Sequence, residues 1–158
     1  MKILVVDDEH LQHKSLQNLF DQSSFDINAF YFSGYKDFFF ESEDHQDADC
    51  IFLDVEMPIM DGLQIAKKIR TINTTIPIIF ITAYSQYAIK GYEVQAFDYI
   101  LKPVSLERLE AVLNNLSSLV IETDYHLLID NQKLQTNSII YISKLKAIPV
   151  YSILKTNK

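Results

Sequence analysis

Three continuous apolar runs punctuate the sequence: Ile3 to Val6, Cys50 to Leu53 and Ile78 to Ile81. Runs of this length without polar alternation predict strands buried on both faces, as in a parallel sheet. Ile27 to Phe32 and Phe97 to Leu101 are two further strand candidates with more mixed composition. Between the strands the apolar spacing changes to steps of three and four. Leu11, Leu16, Leu19 and Phe20 predict a first helix, and a second extends from a cap at Ser33 to about Glu41. Leu63, Ile65, Ala66, Ile69 and Ile72 mark a third, closed by Asn73-Thr74-Thr75. A short tyrosine-rich helix is expected over Tyr84 to Tyr92, and Ser105 caps a last helix carrying Leu106, Leu109, Leu113, Leu116 and Val120. Glu41 to Asp49 is acidic and reads as a solvated loop.

Five strands alternating with five helices predict an α/β, doubly wound parallel sheet covered on both faces. Right-handed crossovers then bring all the strand carboxyl ends to one edge. The polar residues delivered there are Asp7 and Asp8, Asp54, Thr82 and Lys102. Singly, each would be an ordinary loop or cap residue; one polar group at the end of each of four strands points to a site. Three carboxylates in close proximity repel one another unless a cation neutralises them. All-oxygen ligands select a hard ion, Mg²⁺, which suits phosphoryl chemistry. Lys102 supplies a compact positive charge and Thr82 a hydroxyl donor for the same group. Asp54, alone on its strand, is the expected nucleophile and the Asp7-Asp8 pair the expected metal holder, although the residues alone leave the reverse assignment open.

Composition and charge narrow the setting. Of 158 residues 48% are hydrophobic and 22% charged, enough apolar material for one packed domain and a small appendage. The single Cys50 lies in an apolar run and is expected to be a core residue in a reducing, cytoplasmic setting, with no membrane span. Residues 1 to 119 carry nine Lys/Arg against eighteen Asp/Glu, net −9, a body that does not attract nucleic acid. Residues 120 to 158 carry five against three, net +2. His10 and His13 are three apart on the first helix but lack a third ligand, and are read as surface residues.

The strings ILVVDDE at residues 3 to 9, DVEMPIMDG at 54 to 62, ITA at 81 to 83 and DYILKPV at 98 to 104 closely resemble the receiver domain of two-component response regulators. The resemblance covers residues 1 to about 120 and implies a flavodoxin-like sheet of order 2-1-3-4-5. It also implies that Asp54 accepts a phosphoryl group from a sensor histidine kinase. Asp7, Asp8, Asp54 and the backbone carbonyl of Glu56 would hold Mg²⁺, and Thr82 and Lys102 would contact the phosphoryl oxygens. Tyr99 matches the switch aromatic and Pro103 the proline expected after a cis peptide bond. The implied homodimer or partner surface is the face of the fourth helix, fifth strand and fifth helix. Glu56, Tyr84 and Tyr87 line the approach to the phosphoryl group.

Residues 84 to 109 resemble receivers joined to LytTR-type DNA-binding domains. In residues 121 to 158, the segments 125–130, 134–136, 138–142 and 148–154 read as short β segments like the opening strands of such a domain. The later strands and loops that would contact DNA have no counterpart, so the expectation is a partial domain without direct DNA binding. Two other functions compete with the receiver reading. An aspartyl-phosphate phosphohydrolase would use an acid two residues after the nucleophile, where Glu56 stands. A LytTR-type transcription regulator would bind DNA despite the short tail.

Overall fold

A computed structural model describes residues 1–40, 47–87 and 91–124. Five parallel strands form one sheet in the order β2-β1-β3-β4-β5. They are β1 (Lys2–Val6), β2 (Asn28–Phe32), β3 (Cys50–Leu53), β4 (Ile78–Thr82) and β5 (Asp98–Leu101). The helices are α1 (His10–Gln22), α2 (Tyr35–Phe40), α3 (Gly62–Ile72) and α4 (Leu106–Asp124). The order is the one the receiver resemblance implies. The β segments expected over 125–158 lie outside the described residues.

The central strands explain why the pattern was so clear. Every residue of β3 and β4, and Ile3 to Val6 of β1, is buried. The edge strands β2 and β5 are only partly covered, which is why their sequences carry polar residues. Phe38, Phe52 and Phe80 fill the largest fully buried positions. Cys50 is also fully buried, and burial pushes its thiol pKa up, so it is an inert core residue.

Helix termini follow their local chemistry. Asp61 caps α3 by accepting from the Gln64 backbone N–H at 2.7 Å, while the Gln64 side chain accepts from the Asp61 N–H at 3.2 Å. The Ser105 hydroxyl accepts from the Arg108 N–H at 3.2 Å and opens α4, as expected.

Two helical expectations need correction. The buried face of α1 is His13, Leu16 and Phe20, whereas Leu11 is 77% exposed. Steps of three and four from position 13 keep one stripe; the five-residue step from 11 to 16 does not. Ile72 ends the apolar stripe of α3 in sequence but is exposed at the helix terminus. Of the short helix expected over 84–92, residues 88–90 lie outside the described residues; Gly91 is helical and is flanked by 3₁₀ turns at Ser85–Tyr87 and Tyr92–Val94.

Candidate functional site

The sheet register sets the site. Val6 pairs with both Phe32 and Leu53, so Asp7 and Asp54, each one residue further on, emerge side by side at the carboxyl edge. The Asp54 N–H donates to the Val6 carbonyl at 2.9 Å, and the Asp7 N–H to the Phe32 carbonyl at 3.0 Å. On the other flank the Lys102 N–H donates to the Thr82 carbonyl at 2.8 Å, placing the lysine beyond β5 beside the end of β4. The Lys102-Pro103 peptide bond is cis.

Carboxylate oxygens of Asp7, Asp8 and Asp54 lie within 4.8 Å of one another. The Lys102 ammonium stands 2.7 Å from Asp7 Oδ2 and 2.7 Å from Asp54 Oδ2. The remaining oxygens of these two acids are also engaged: Asp7 Oδ1 accepts from the Glu9 N–H at 2.8 Å and Asp54 Oδ1 from the Val55 N–H at 2.6 Å. Asp7 is 2% exposed and Asp54 8%, so one lysine neutralises two nearly dry carboxylates and leaves the third acid, Asp8, over.

Burial and the Lys102 bridge both act on the titration of these groups. Burial raises the Asp7 pKa, and the hydrogen bond from Lys102 offsets this only in part. For Lys102, burial acts to lower the pKa, but the bonds to Asp54 and Asp7 prevail and it is raised. An all-oxygen cluster of three carboxylates fits a hard divalent cation such as Mg²⁺.

Thr82 gives a second, independent indication. Its Oγ1 is buried without a hydrogen-bond partner. Buried hydroxyls are ordinarily satisfied, and an orphan beside a charged cluster fits a group that receives an additional oxygen-rich ligand. Tyr99 packs its ring 6.1 Å from that of Phe80 and donates its hydroxyl to the Tyr84 carbonyl. Glu56 accepts from the Tyr87 hydroxyl at 3.2 Å, and the rings of Tyr84 and Tyr87 meet edge to face. Contact with Glu56 raises the pKa of both tyrosines.

Three features of the site were not anticipated from sequence. Gly62 is required by space, because a β-carbon there would lie 1.9 Å from the Asp54 carbonyl oxygen. Ile59, an exposed β-branched residue, has φ +72, with the Met60 N–H donating to the Pro58 carbonyl at 2.8 Å across it. This three-residue turn is uncommon for isoleucine. His13, expected at the surface, is buried with its Nε2 2.7 Å from the Asp7 carbonyl oxygen. Its spacing to Leu16 and Phe20 is the signal that would have placed it inside.

The sequence profile of the response regulator receiver domain matches residues 3–114. The chain belongs to that family. It is 32% identical over 127 residues to the sensory transduction protein LytT of Bacillus subtilis (strain 168), covering 78% of this chain and 52% of that protein. To the transcriptional regulatory protein YpdB of Escherichia coli (strain K12) it is 34% identical over 119 residues, 75% of this chain and 48% of that one. The chain thus spans about half the length of these curated relatives. The crystal structure of the response regulatory domain of protein mrkE from Klebsiella pneumoniae superposes with a TM-score of 0.65 at 33% identity, covering 77% of this chain and 99% of that one. The response regulator TrrA of Thermotoga maritima, solved in complex with Mg(2+)-BeF, gives 0.64 at 27% identity, covering 73% and 97%. The domain is therefore a signalling receiver, and the match to LytT accords with the LytTR-associated character of residues 84 to 109. Among the described residues no helix is long and apolar enough to cross a membrane.

Proposed function

We propose that this receiver is phosphorylated on Asp54 by a sensor histidine kinase and thereby switches a dimer or partner surface that regulates transcription. The observation that carries the reading is the Lys102 ammonium bridging Asp7 and Asp54 at 2.7 Å beside the orphaned Thr82 hydroxyl. Asp54 attacks the phosphorus of a phosphohistidine; the N–P bond breaks as the O–P bond forms, and the departing imidazole keeps the electron pair and takes up a proton. Lys102 already lies against the acceptor carboxylate and compensates the charge that arrives with the phosphoryl group. Thr82 has a free hydroxyl to donate to one of the new oxygens. Asp7, Asp8, Asp54 and the Glu56 carbonyl would hold Mg²⁺, which supplies charge neutralisation for phosphoryl oxygens.

The switch follows from the same positions. Any shift of Thr82 toward a phosphoryl oxygen moves the end of β4, where the Tyr99 hydroxyl is tied to the Tyr84 carbonyl. Exposed Tyr92 and half-exposed Leu101 lie in the segment and strand that Tyr99 links. That face is the proposed homodimer or partner surface. A groove of about 430 Å³ beside Lys102, lined by Leu11, Ser15, Pro103 and Val104 among others, is where we place the kinase. We assign residues 1–120 to the receiver and 121–158 to a partial LytTR-like β segment, and place the protein in the cytoplasm. The phosphohydrolase alternative loses ground, because the Glu56 carboxylate it needs as an acid is engaged by Tyr87.

Phosphoramidate, a small donor with an N–P bond, tests the reading when combined with Mg²⁺ and intact mass measurement. Wild type gains one phosphoryl group and Asp54→Asn gains none; equal gain by both would overturn it.

A further inference from the structure

We propose that His13 is a positioning residue for the acidic pair: it holds the Asp7-Asp8 peptide in the orientation that presents both carboxylates to a divalent cation. The inference rests on reading the acid cluster as a Mg²⁺ site.

The strand ladder ends at Val6, where pairing to both neighbours stops. The Asp7 carbonyl has therefore left the sheet, and it is the His13 ring that meets it, in a buried contact of 2.7 Å. A carbonyl oxygen can only accept, so His13 Nε2 carries the hydrogen. Every polar group of Asp7 is thereby fixed. Its N–H binds the Phe32 carbonyl at 3.0 Å, Oδ1 accepts from Glu9 at 2.8 Å, Oδ2 from Lys102 at 2.7 Å, and its carbonyl accepts from His13 at 2.7 Å.

Asp8 inherits its direction from that last bond. The peptide unit is planar, so pinning the Asp7 oxygen also fixes the nitrogen and Cα of Asp8. The Glu9 N–H bond to Asp7 Oδ1 at 2.8 Å restrains Asp8 from its other end, so that rotation of its side chain away from the cluster is limited. The imidazole is itself well braced. Its ring lies 5.0 Å from that of Tyr31 and 5.6 Å, edge to face, from that of His10. The Tyr31 hydroxyl donates to Gln17 Oε1 at 2.8 Å, one turn further along α1. A histidine serving only to fill space would not need a donor aimed at a residue that belongs to both the acid cluster and the lysine bridge.

Two measurements test the proposal. Long-range ¹H–¹⁵N spectra of the wild-type protein report the tautomer directly: a hydrogen on Nε2 of His13 is expected, and a ring protonated on Nδ1 alone overturns the proposal. Calorimetric Mg²⁺ titration then compares wild type with His13→Gln, whose amide can donate to the same carbonyl, and His13→Leu, which cannot. His13→Leu is expected to bind Mg²⁺ about tenfold more weakly, the low end of what outer-shell partners contribute. His13→Gln is expected to retain most of the affinity. Equal affinity in all three, or an equal loss in both variants, overturns the proposal; absence of Mg²⁺ binding by wild type would instead remove the metal reading on which it stands. Should His13→Leu not fold, the wild-type tautomer and the His13→Gln titration still decide.

Discussion

A β-carbon on Gly62 would lie 1.9 Å from the carbonyl oxygen of Asp54, closer than any real contact allows. The first turn of α3 packs directly on the backbone of Asp54, the proposed acceptor, and the Gly62 N–H donates to the Val55 carbonyl at 2.8 Å. Backbone cannot yield as a side chain can. Gly62→Ala should therefore destabilise the protein by roughly 3 kcal/mol, the upper range of overpacking costs, seen as a lowered urea midpoint. The same variant should accept phosphoryl groups more slowly, since the loop carrying Asp54 must shift.

The Thr82 hydroxyl makes the opposite prediction for stability. It is buried and unpartnered, so a shape-matched methyl removes a desolvation cost without removing a bond. Thr82→Val should leave the unphosphorylated protein as stable as wild type or more so, by up to about 1 kcal/mol. Phosphorylation of the variant should no longer promote association, read by size-exclusion chromatography with light scattering. A clear loss of stability in Thr82→Val would show that the hydroxyl is already satisfied.

Removing Lys102 leaves two buried carboxylates facing each other. Lys102→Met should cost roughly 3 kcal/mol at neutral pH without metal, as expected when one partner of a buried pair is lost. The Lys102 pKa is raised above its ordinary 10.5, so the folded state keeps the proton after the unfolded chain has released it. The contribution is therefore complete below about pH 10.5 and fades as pH rises through the folded value. Denaturation profiles of wild type and variant should converge in that alkaline range.

Asp7 sets the pH dependence on the acid side. Burial raises its pKa above the ordinary 3.8, so in EDTA the stability associated with it is greatest below that pH and is lost as pH rises through the folded value. Mg²⁺ competes with this proton. The Mg²⁺-induced rise in melting temperature should be absent near pH 3.8 and grow toward neutrality. At neutral pH, a Mg²⁺ concentration about 100 times Kd should add about 2.7 kcal/mol, and Asp7→Asn should abolish the effect.

The sequence exposed the parts of this site that depend on strand ends. Asp7, Asp54, Thr82 and Lys102 each follow an apolar run, and parallel topology brings them to one edge. Less visible were features that depend on close approach between elements. His13 could not be recognised as buried while only apolar residues were counted, because its polarity is satisfied by a carbonyl from another element. The role of Gly62 depends on α3 lying against Asp54, a packing distance that no periodicity encodes. Around the short helix expected over 84–92, the tyrosine side chains engage Glu56 and one another, contacts that no apolar stripe announces.

The location of the acyl phosphate is the most direct test of the account. Protein incubated with acetyl phosphate and Mg²⁺ is reduced with borohydride, which converts a phosphorylated aspartate to homoserine, and the peptides are then sequenced by mass spectrometry. The account predicts homoserine at position 54 and at no other aspartate, including positions 7 and 8. Homoserine at either of those positions, or none at 54, would contradict it.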